Sequence, residues 1–543
     1  MPEPADVLHL LLARAGDRAP TLPDGLPIGP ALKTQPYELA RPEADDPTAG
    51  DVPDDMSGPV WGVIAPEGAE GDRLLALAAP LIAARQAQQG RPAPIYRVPR
   101  AAERFTLADA IAWRRERYDS GADLGQGRAD YQLILGDLDA VPLAIQELQS
   151  LDAGVGRLAF DDDAGYEAYV EKILRIEAGA RRGPGRIVMA TADDGSRALE
   201  IGISGLSRPG EALLHAEVTS SALPAREILA GIERGRAGMD LLLERAAVAQ
   251  PGVLFTLSHG VGAPYEGWRS PADQRATQGA MAFGVEAQLT GADIAARTFM
   301  PGGLWLMFAC FSAGTPSTSA YAPWLERMAA ARGKPPPSMT RTLAVGAPFI
   351  ADIPRRALAN PNGPLAFVGH IDLAWTYSFR DGDGPEGARS GRFMRVLAGA
   401  MRGAPVGDAF RELSMFVTEA DRALTGAYAD EAADAADPAA RERRRALLWM
   451  ARQDLAGFIL LGDPLARLAV GPVLAASVAD EAPAIRITDH AAIDRLERAI
   501  AALILGQGSP AEIAAQHGVE PSAFEAIAAT YRQAGRQALV PKG

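Results

Sequence analysis

Two apolar runs in the middle of the chain each end beside a residue with reactive chemistry. Residues 253–257 lead into His259, and residues 304–309 lead into Cys310, with glycines close by in both cases. A short apolar run bounded by glycine is typical of a buried parallel strand. Ligands of open α/β sheets bind just beyond the carboxyl ends of such strands. The pattern predicts that both residues lie at one sheet edge, on neighbouring parallel strands joined by a crossover helix.

Apolar runs also alternate with helical periodicity over most of the chain. Further strands are predicted near residues 60–65, 95–98, 131–135, 155–160, 186–191, 342–346 and 364–370, and residues 458–464 are predicted to form a last buried strand or a docking turn. Such alternation indicates a doubly wound α/β architecture. We predict two consecutive α/β sub-domains of this kind, over residues 58–180 and 181–475, with both reactive strands in the second.

The two ends of the chain have different patterns. Residues 1–57 are predicted to be an extended segment or linker, because Pro, Gly and Asp are frequent after residue 20 and periodicity is lacking. We assign no chemistry to this linker. Residues 485–543 have the pattern of a small all-α module of three helices, similar to a helix-turn-helix. Its second helix is predicted to begin at Ser509 with a capping box that includes Glu512, and to end near His517.

A DNA-binding role for this module is disfavoured by its charge. From residue 489 to the end, five Lys or Arg side chains stand against six Asp or Glu, whereas phosphate contacts dominate affinity for DNA. Docking to a protein partner or oligomerisation through residues 489–540 is the preferred interpretation.

The composition narrows the class of protein further. The chain of 543 residues is 48% hydrophobic and carries a net charge of -14, which disfavours general binding to nucleic acid or anionic membranes. A single cysteine cannot form an internal disulfide, and the first residues lack the pattern of a secretion signal or a membrane span. We therefore expect a cytoplasmic protein.

The placement of Cys310 and His259 favours a catalytic dyad. A thiol becomes a strong nucleophile when it ionises, and an adjacent imidazole can take its proton. The alternative is that Cys310 is a small buried apolar residue and His259 a hydrogen-bonded core histidine. The occurrence of both at strand ends, each followed by glycine, favours the dyad.

Several segments of the chain together resemble the gingipain-type cysteine peptidases, within the caspase-like clan that includes the CHAT domains. The dyad strands match the clan's His-Gly and Ala-Cys-x-Ser-Gly motifs, although Ala313 stands where the clan usually has glycine. Features closer to the gingipain type lie at residues 131–137, at residues 155–158 with Lys172 and Glu177, and at residues 363–366 and 461–464. The resemblance implies a catalytically silent first sub-domain and a caspase-like second one.

The resemblance also implies the roles of the site residues. The Cys310 thiolate attacks a peptide carbonyl, His259 protonates the leaving amine, and the main-chain N–H groups of Gly260 and Cys310 stabilise the oxyanion. Asp193 and Asp194 either orient His259 or line the S1 pocket, unless they merely form a turn. An acidic S1 pocket would select a basic residue before the scissile bond, and the arginines of residues 441–445 would then be a self-cleavage site, unless they form a solvated helix face.

Other site chemistries lack the required spacing. The chain has no Gly-x-Ser-x-Gly, His-Glu-x-x-His or P-loop motif. His370 and Asp372 flank one strand end, but a structural role is preferred for them, and we expect no metal and no cofactor. The prediction is a cysteine endopeptidase acting on protein or peptide substrates. The alternative is a catalytically silent scaffold that binds protein or DNA through its C-terminal module.

Overall fold

The computed structural model describes ten stretches of the chain. They are residues 7–27, 58–100, 105–119, 128–179, 183–322, 324–326, 343–379, 387–429, 438–471 and 509–517. The chain divides into two compact units, Met1–Leu474 and Ala475–Gly543.

The strands of the described residues are numbered in chain order. They are β1 Val7–Leu8, β2 Leu12–Arg14, β3 Leu26–Pro27, β4 Trp61–Pro66, β5 Ile95–Val98, β6 Tyr131–Leu135, β7 Gly154–Leu158, β8 Gly185–Ala192, β9 Ala225–Glu233, β10 Gly252–Leu257, β11 His259–Gly262, β12 Met281–Phe283, β13 Ala287–Leu289, β14 Leu304–Phe308, β15 Gly314–Thr315, β16 Phe349–Ile350, β17 Ala366–His370 and β18 Phe458–Gly462.

Helices connect most of these strands. The α-helices are Ala69–Gln89, Leu107–Trp113, Leu143–Gln149, Asp163–Ala178, Arg197–Gly202, Arg208–Thr219, Gly235–Ala246, Pro271–Thr277, Gly291–Ala295, Asp352–Ala359, Gly387–Met401, Val406–Ala429, Pro438–Ala456 and Pro510–His517. Two π-helical turns, Arg114–Asp119 and Ile203–Ser207, extend the helices that precede them.

The largest sheet in the described part of the chain has ten strands, in the order β5-β4-β6-β7-β18-β17-β14-β10-β8-β9. Every neighbouring pair is parallel except β17 and β18, which are antiparallel. Central strands such as β10 and β14 are buried along their whole length, as expected of a parallel sheet covered by helices. The predicted α/β fold class is therefore confirmed.

The strands predicted in both sub-domains join this one sheet. The last strand, β18, lies between β7 of the first half and β17 of the second. Buried charge also links the halves, since Asp463, directly after β18, contacts Arg85 at 2.6 Å and accepts a hydrogen bond from the Trp61 indole at 3.0 Å. The sub-domain boundaries, and the caspase-like character of the second, remain predictions.

One predicted strand is wrong. Residues 343–346 form bends rather than a strand, and the nearest strand is β16. The Gln274 side chain bonds the carbonyl of Leu343 at 2.9 Å and the N–H of Val345 at 2.8 Å. An amide side chain therefore satisfies main-chain groups that a strand would pair, and Gly346 turns the chain with a φ of 100°.

Two further predictions concern the C-terminal part. The run of residues 441–445 lies inside the helix Pro438–Ala456, in agreement with the helix alternative, and Arg445 donates to the carbonyl of Ala427 at 2.8 Å. The capping box is confirmed, because Ser509 and Glu512 exchange hydrogen bonds at the start of Pro510–His517. The rest of the predicted three-helix module, residues 485–508 and 518–543, lies outside the described residues.

Candidate active site

The two reactive residues follow neighbouring strands, as predicted. β10 and β14 are parallel neighbours, paired from Val253 with Leu304 to Leu257 with Phe308. Cys310 follows the end of β14 and is fully buried. The next residue, Phe311, has a φ of 56°, in a region that aromatic side chains rarely occupy. The surrounding structure therefore holds a strained turn directly after the cysteine.

Glycine at position 260 allows the histidine strand to lie against the cysteine. A Cβ atom added to Gly260 would lie 1.8 Å from the carbonyl oxygen of Cys310 and 2.8 Å from its carbonyl carbon. Both are main-chain atoms, so no side-chain rotation could relieve the contact. This close approach is the physical reason for glycine after His259.

The His259 ring is held through one of its two nitrogens. Its Nε2 atom lies 2.9 Å from Ser196 Oγ and 3.4 Å from Asp194 Oδ2. The Asp194 carboxylate on that side favours the tautomer with the proton on Nε2 and the lone pair on Nδ1. Among the residues that the structure describes, none forms a hydrogen bond with Nδ1, although this atom is buried. The ring thus keeps one buried nitrogen that is not hydrogen-bonded to any part of the chain that the structure describes.

Two main-chain N–H groups meet on one carbonyl oxygen beside Cys310. The N–H of Gly260 donates to the carbonyl oxygen of Leu11 at 2.9 Å, and the N–H of Cys310 donates to the same oxygen at 3.3 Å. These are the two N–H groups that the resemblance to caspase-like peptidases implies as oxyanion donors. Two converging N–H donors beside a thiol can stabilise the negative charge that develops when a carbonyl is attacked.

A loop after β17 completes the surroundings of the thiol. Cys310 Sγ lies 3.5 Å from the carbonyl oxygen of Ala374 and 3.1 Å from its nitrogen. The Ala374 carbonyl also accepts the N–H of Leu11 at 3.0 Å, and the N–H of Thr376 donates to the carbonyl of His9 at 3.1 Å. This loop, residues 374–376, thus offers the main-chain partners of an extended strand.

Two buried carboxylates hold the loop in place. Asp454 accepts the N–H groups of Trp375 at 2.8 Å and Ser378 at 3.2 Å, and burial raises the pKa of Asp454 to about 7. Asp372 accepts hydrogen bonds from Ser319 Oγ and from the N–H groups of residues 320 and 373, and burial raises its pKa to about 6. The loop geometry is therefore fixed from within the fold.

Burial keeps both members of the pair neutral in this arrangement. It raises the pKa of the Cys310 thiol well above its usual value, and the hydrogen bond with Ala374 opposes this only in part. Burial also lowers the pKa of His259, and the nearby Asp194 carboxylate opposes that shift. A neutral thiol is a weak nucleophile. Ionisation of Cys310 therefore requires access of water or a transfer of its proton to His259.

The two candidate carboxylates after β8 have different partners. Asp193 is paired with Arg234, whose guanidinium donates to its Oδ2 at 2.9 Å, and its Oδ1 accepts the N–H of Gly195. Asp194 faces His259 through Oδ2 and accepts the N–H of Ser196 through Oδ1. Both carboxylates are already bonded within the chain, which favours an orienting role for Asp194 over an acidic S1 pocket.

His370, the other histidine considered from the sequence, has the contacts of a structural core residue. Both ring nitrogens of His370 are hydrogen-bonded to main-chain groups, Nδ1 near Asp372 and Nε2 at 3.0 Å from the carbonyl of Asp454. Over the described ranges, no group of three or more His, Cys, Asp or Glu side chains could hold a metal ion. No helix in those ranges is both long and apolar enough to cross a membrane.

Comparisons with known proteins found one distant structural match. No protein-family model matches the chain, and no curated protein matches it. One solved structure, described as "Structure of Protease", is similar over 77% of this chain and 80% of its own, with 11% sequence identity and a TM-score of 0.41. A likeness at this level carries no argument about activity.

Sequence reasoning missed several residues around the thiol. Ala374 and Thr376 act through main-chain groups, which leave no side-chain signature. Ser196 is an ordinary helix N-cap residue, accepting the N–H of Leu199 at 3.4 Å, and only the fold brings it to His259. Leu11 lies inside the segment predicted to be an extended linker without chemistry, and that prediction is wrong for residues 7–27, which form β1, β2 and β3, with β2 paired to β11. The apolar run of residues 10–13 was the available signal.

Proposed function

We propose that this protein is a cysteine peptidase that hydrolyses peptide bonds with Cys310 as nucleophile and His259 as general base and acid. The observation that carries the proposal is the convergence of the Gly260 and Cys310 N–H groups on one carbonyl oxygen beside the thiol. The resemblance to gingipain-type, caspase-like peptidases supports the same assignment.

The proposed first step forms a thioester. Cys310 Sγ gives its proton to His259 Nδ1 while its electron pair bonds the substrate carbonyl carbon. The oxygen takes up the negative charge and accepts the N–H groups of Gly260 and Cys310. When the tetrahedral intermediate collapses, the carbon–nitrogen bond breaks and the amine receives the proton from His259. Asp194 stabilises the imidazolium that exists between the two transfers.

Water completes the cycle. Its oxygen bonds the thioester carbon while His259 takes a proton, and the carbon–sulfur bond then breaks with return of that proton to Cys310 Sγ. The products are a carboxylic acid and an amine, so water is the only co-reactant. The chemistry requires no metal or other cofactor.

The experiment is reaction with a peptidyl probe directed at cysteine, combined with hydrolysis of an unfolded protein substrate. We expect wild type to be labelled once, at Cys310, and to cleave the substrate, whereas Cys310→Ala should do neither. His259→Ala should keep the fold, by circular dichroism, and lose cleavage. A chain that neither cleaves nor reacts under any condition is the alternative scaffold, and the proposal would then be wrong.

A further inference from the structure

The cleft beside Cys310 is occupied by the chain's own residues 7–14, which we call the docked segment. On one side it bonds the loop of residues 374–376, with an antiparallel bridge between Leu10 and Trp375. On the other side its strand β2 runs parallel to β11, with Leu12 opposite Gly260. The segment is thus an added strand held by main-chain hydrogen bonds, which is a common way to bind an extended peptide.

We propose that the enzyme cleaves its own Leu11–Leu12 peptide bond and prefers leucine before the scissile bond in other substrates. This inference rests on the proposed function, because it uses the same thiol and oxyanion donors. It adds the substrate class and a site of self-processing.

The hydrogen-bond register identifies the bond that is cut. Of the carbonyl groups in the docked segment, that of Leu11 receives both the Gly260 and the Cys310 N–H. The N–H of Leu11 is bonded to the Ala374 carbonyl, which the Cys310 thiol also contacts. Leu11 is therefore fixed on both sides of its Cα atom, with its carbonyl oxygen on the main-chain N–H of the cysteine.

The leaving group lies on the histidine side. Leu12 is paired with Gly260, the residue after His259. The buried Nδ1 atom of His259 has no hydrogen-bond partner among the described residues, and protonation of a leaving amine requires such a nitrogen. Cleavage would make Leu11 the new carboxyl end and Leu12 the new amino end, with atoms balanced as in the general cycle.

The chemistry of the cleft explains a preference for leucine. Leu10, Leu11 and Leu12 are 1%, 0% and 1% exposed, so an apolar side chain is fully enclosed at each of these positions. Asp193 and Asp194, which could have received a basic side chain, are bonded to Arg234 and to the His259 region. An unpaired charge buried at position 11 would be costly.

An occupied cleft also makes the uncut chain latent. The docked segment fills the position of a substrate, and Cys310 beneath it is 0% exposed. Other peptides can bind only after the segment leaves, and cleavage of the Leu11–Leu12 bond would remove the part held by the loop of residues 374–376.

The first experiment follows the full chain by intact mass and N-terminal sequencing. We expect wild type to be converted to a chain that begins at Leu12, with a half-time independent of protein concentration, since the bond lies in its own cleft. Cys310→Ala should remain intact, which excludes a contaminating peptidase. Leu11→Asp should also remain uncut at this bond.

The second experiment separates self-processing from peptidase activity by use of Leu8→Glu, with Leu8→Met as the matched control. Leu8 is buried opposite Leu26, and a carboxylate there should release the segment. We expect Cys310 in Leu8→Glu to react with the probe at least about tenfold faster than in Leu8→Met chains that have not yet cut their Leu11–Leu12 bond. On fluorogenic peptides that copy residues 8–11, Leu at the last position should exceed Arg or Asp by about 100-fold.

The outcomes distinguish the two proposals. If Leu8→Glu cleaves peptides but wild type keeps its Leu11–Leu12 bond or is cut elsewhere, the inference fails and the proposed function stands. A preference for Arg over Leu in the peptide series would equally overturn it. If neither the wild type nor Leu8→Glu reacts with the probe or cleaves any peptide, the proposed function fails as well.

Discussion

Substitution of alanine for Gly260 tests the oxyanion geometry most directly. The new Cβ would lie 1.8 Å from the Cys310 carbonyl oxygen. Relief of that contact requires the histidine and cysteine segments to separate by about 1.5–1.8 Å, the difference from an ordinary contact between carbon and oxygen. The N–H of Gly260 now lies 2.9 Å from the oxygen that it binds, and a shift of this size would break the hydrogen bond.

The expected magnitude follows from that loss. One missing oxyanion donor lowers kcat by about 10²–10³-fold. Forcing a methyl group into the closely packed main chain also destabilises the fold by about 1–3 kcal/mol. KM should change less than kcat, because the donor acts most strongly on the charged transition state.

The assay is steady-state hydrolysis of the leucine peptide, with thermal unfolding followed by circular dichroism. Gly426→Ala is the matched control, since no atom lies within 4 Å of a Cβ at that position, and it should keep both activity and stability. Wild-type kcat in a normally folded Gly260→Ala would refute the assignment of this N–H group as an oxyanion donor.

Two further substitutions test one carboxylate beside His259 and one carboxylate in the buried ion pair with Arg85. Asp194→Asn should lower kcat by about 10–100-fold. Because the Asp194 carboxylate raises the pKa of His259, its removal should also shift the acid limb of the pH–rate profile to lower pH. An unchanged pH–rate profile would exclude the orienting role of Asp194. Asp463→Ala should lower the free energy of unfolding in denaturant by about 3–5 kcal/mol, because it leaves Arg85 buried without this partner. The exposed Asp240 serves as the control, and Asp240→Ala should lower the free energy of unfolding by at most about 1 kcal/mol. Equal effects of the two substitutions on unfolding would contradict this account.

The sequence alone determined the elements that depend on local pattern. Continuous apolar runs predicted β10, β14 and β18, because a strand buried on both faces must be apolar throughout. The same reasoning brought His259 and Cys310 to neighbouring parallel strands, which the structure confirms. The capping box at Ser509 was equally local, since both of its partners lie within one helical turn.

Local pattern was misleading where a distant side chain intervened. Residues 343–346 have strand composition, yet Gln274 satisfies their main-chain groups and no strand forms. The Asp193-Asp194 pair left two roles open in the sequence, and the contacts of Asp193 with Arg234 and of Asp194 with His259 favour an orienting role for Asp194. Propensity cannot report which partner a polar group finds across the fold.

The tertiary structure alone decided what lies beside Cys310. A strand added to a cleft is held by main-chain N–H and C=O groups, which every residue carries, so nothing in residues 7–14 identifies their partners in advance. Only the folded chain brings the Leu11 carbonyl to the N–H groups of Gly260 and Cys310, about 250 and 300 positions later in the sequence. The sequence predicts which residues stand at the ends of β10 and β14, whereas the segment that lies beside them depends on contacts that form only when distant parts of the chain pack together.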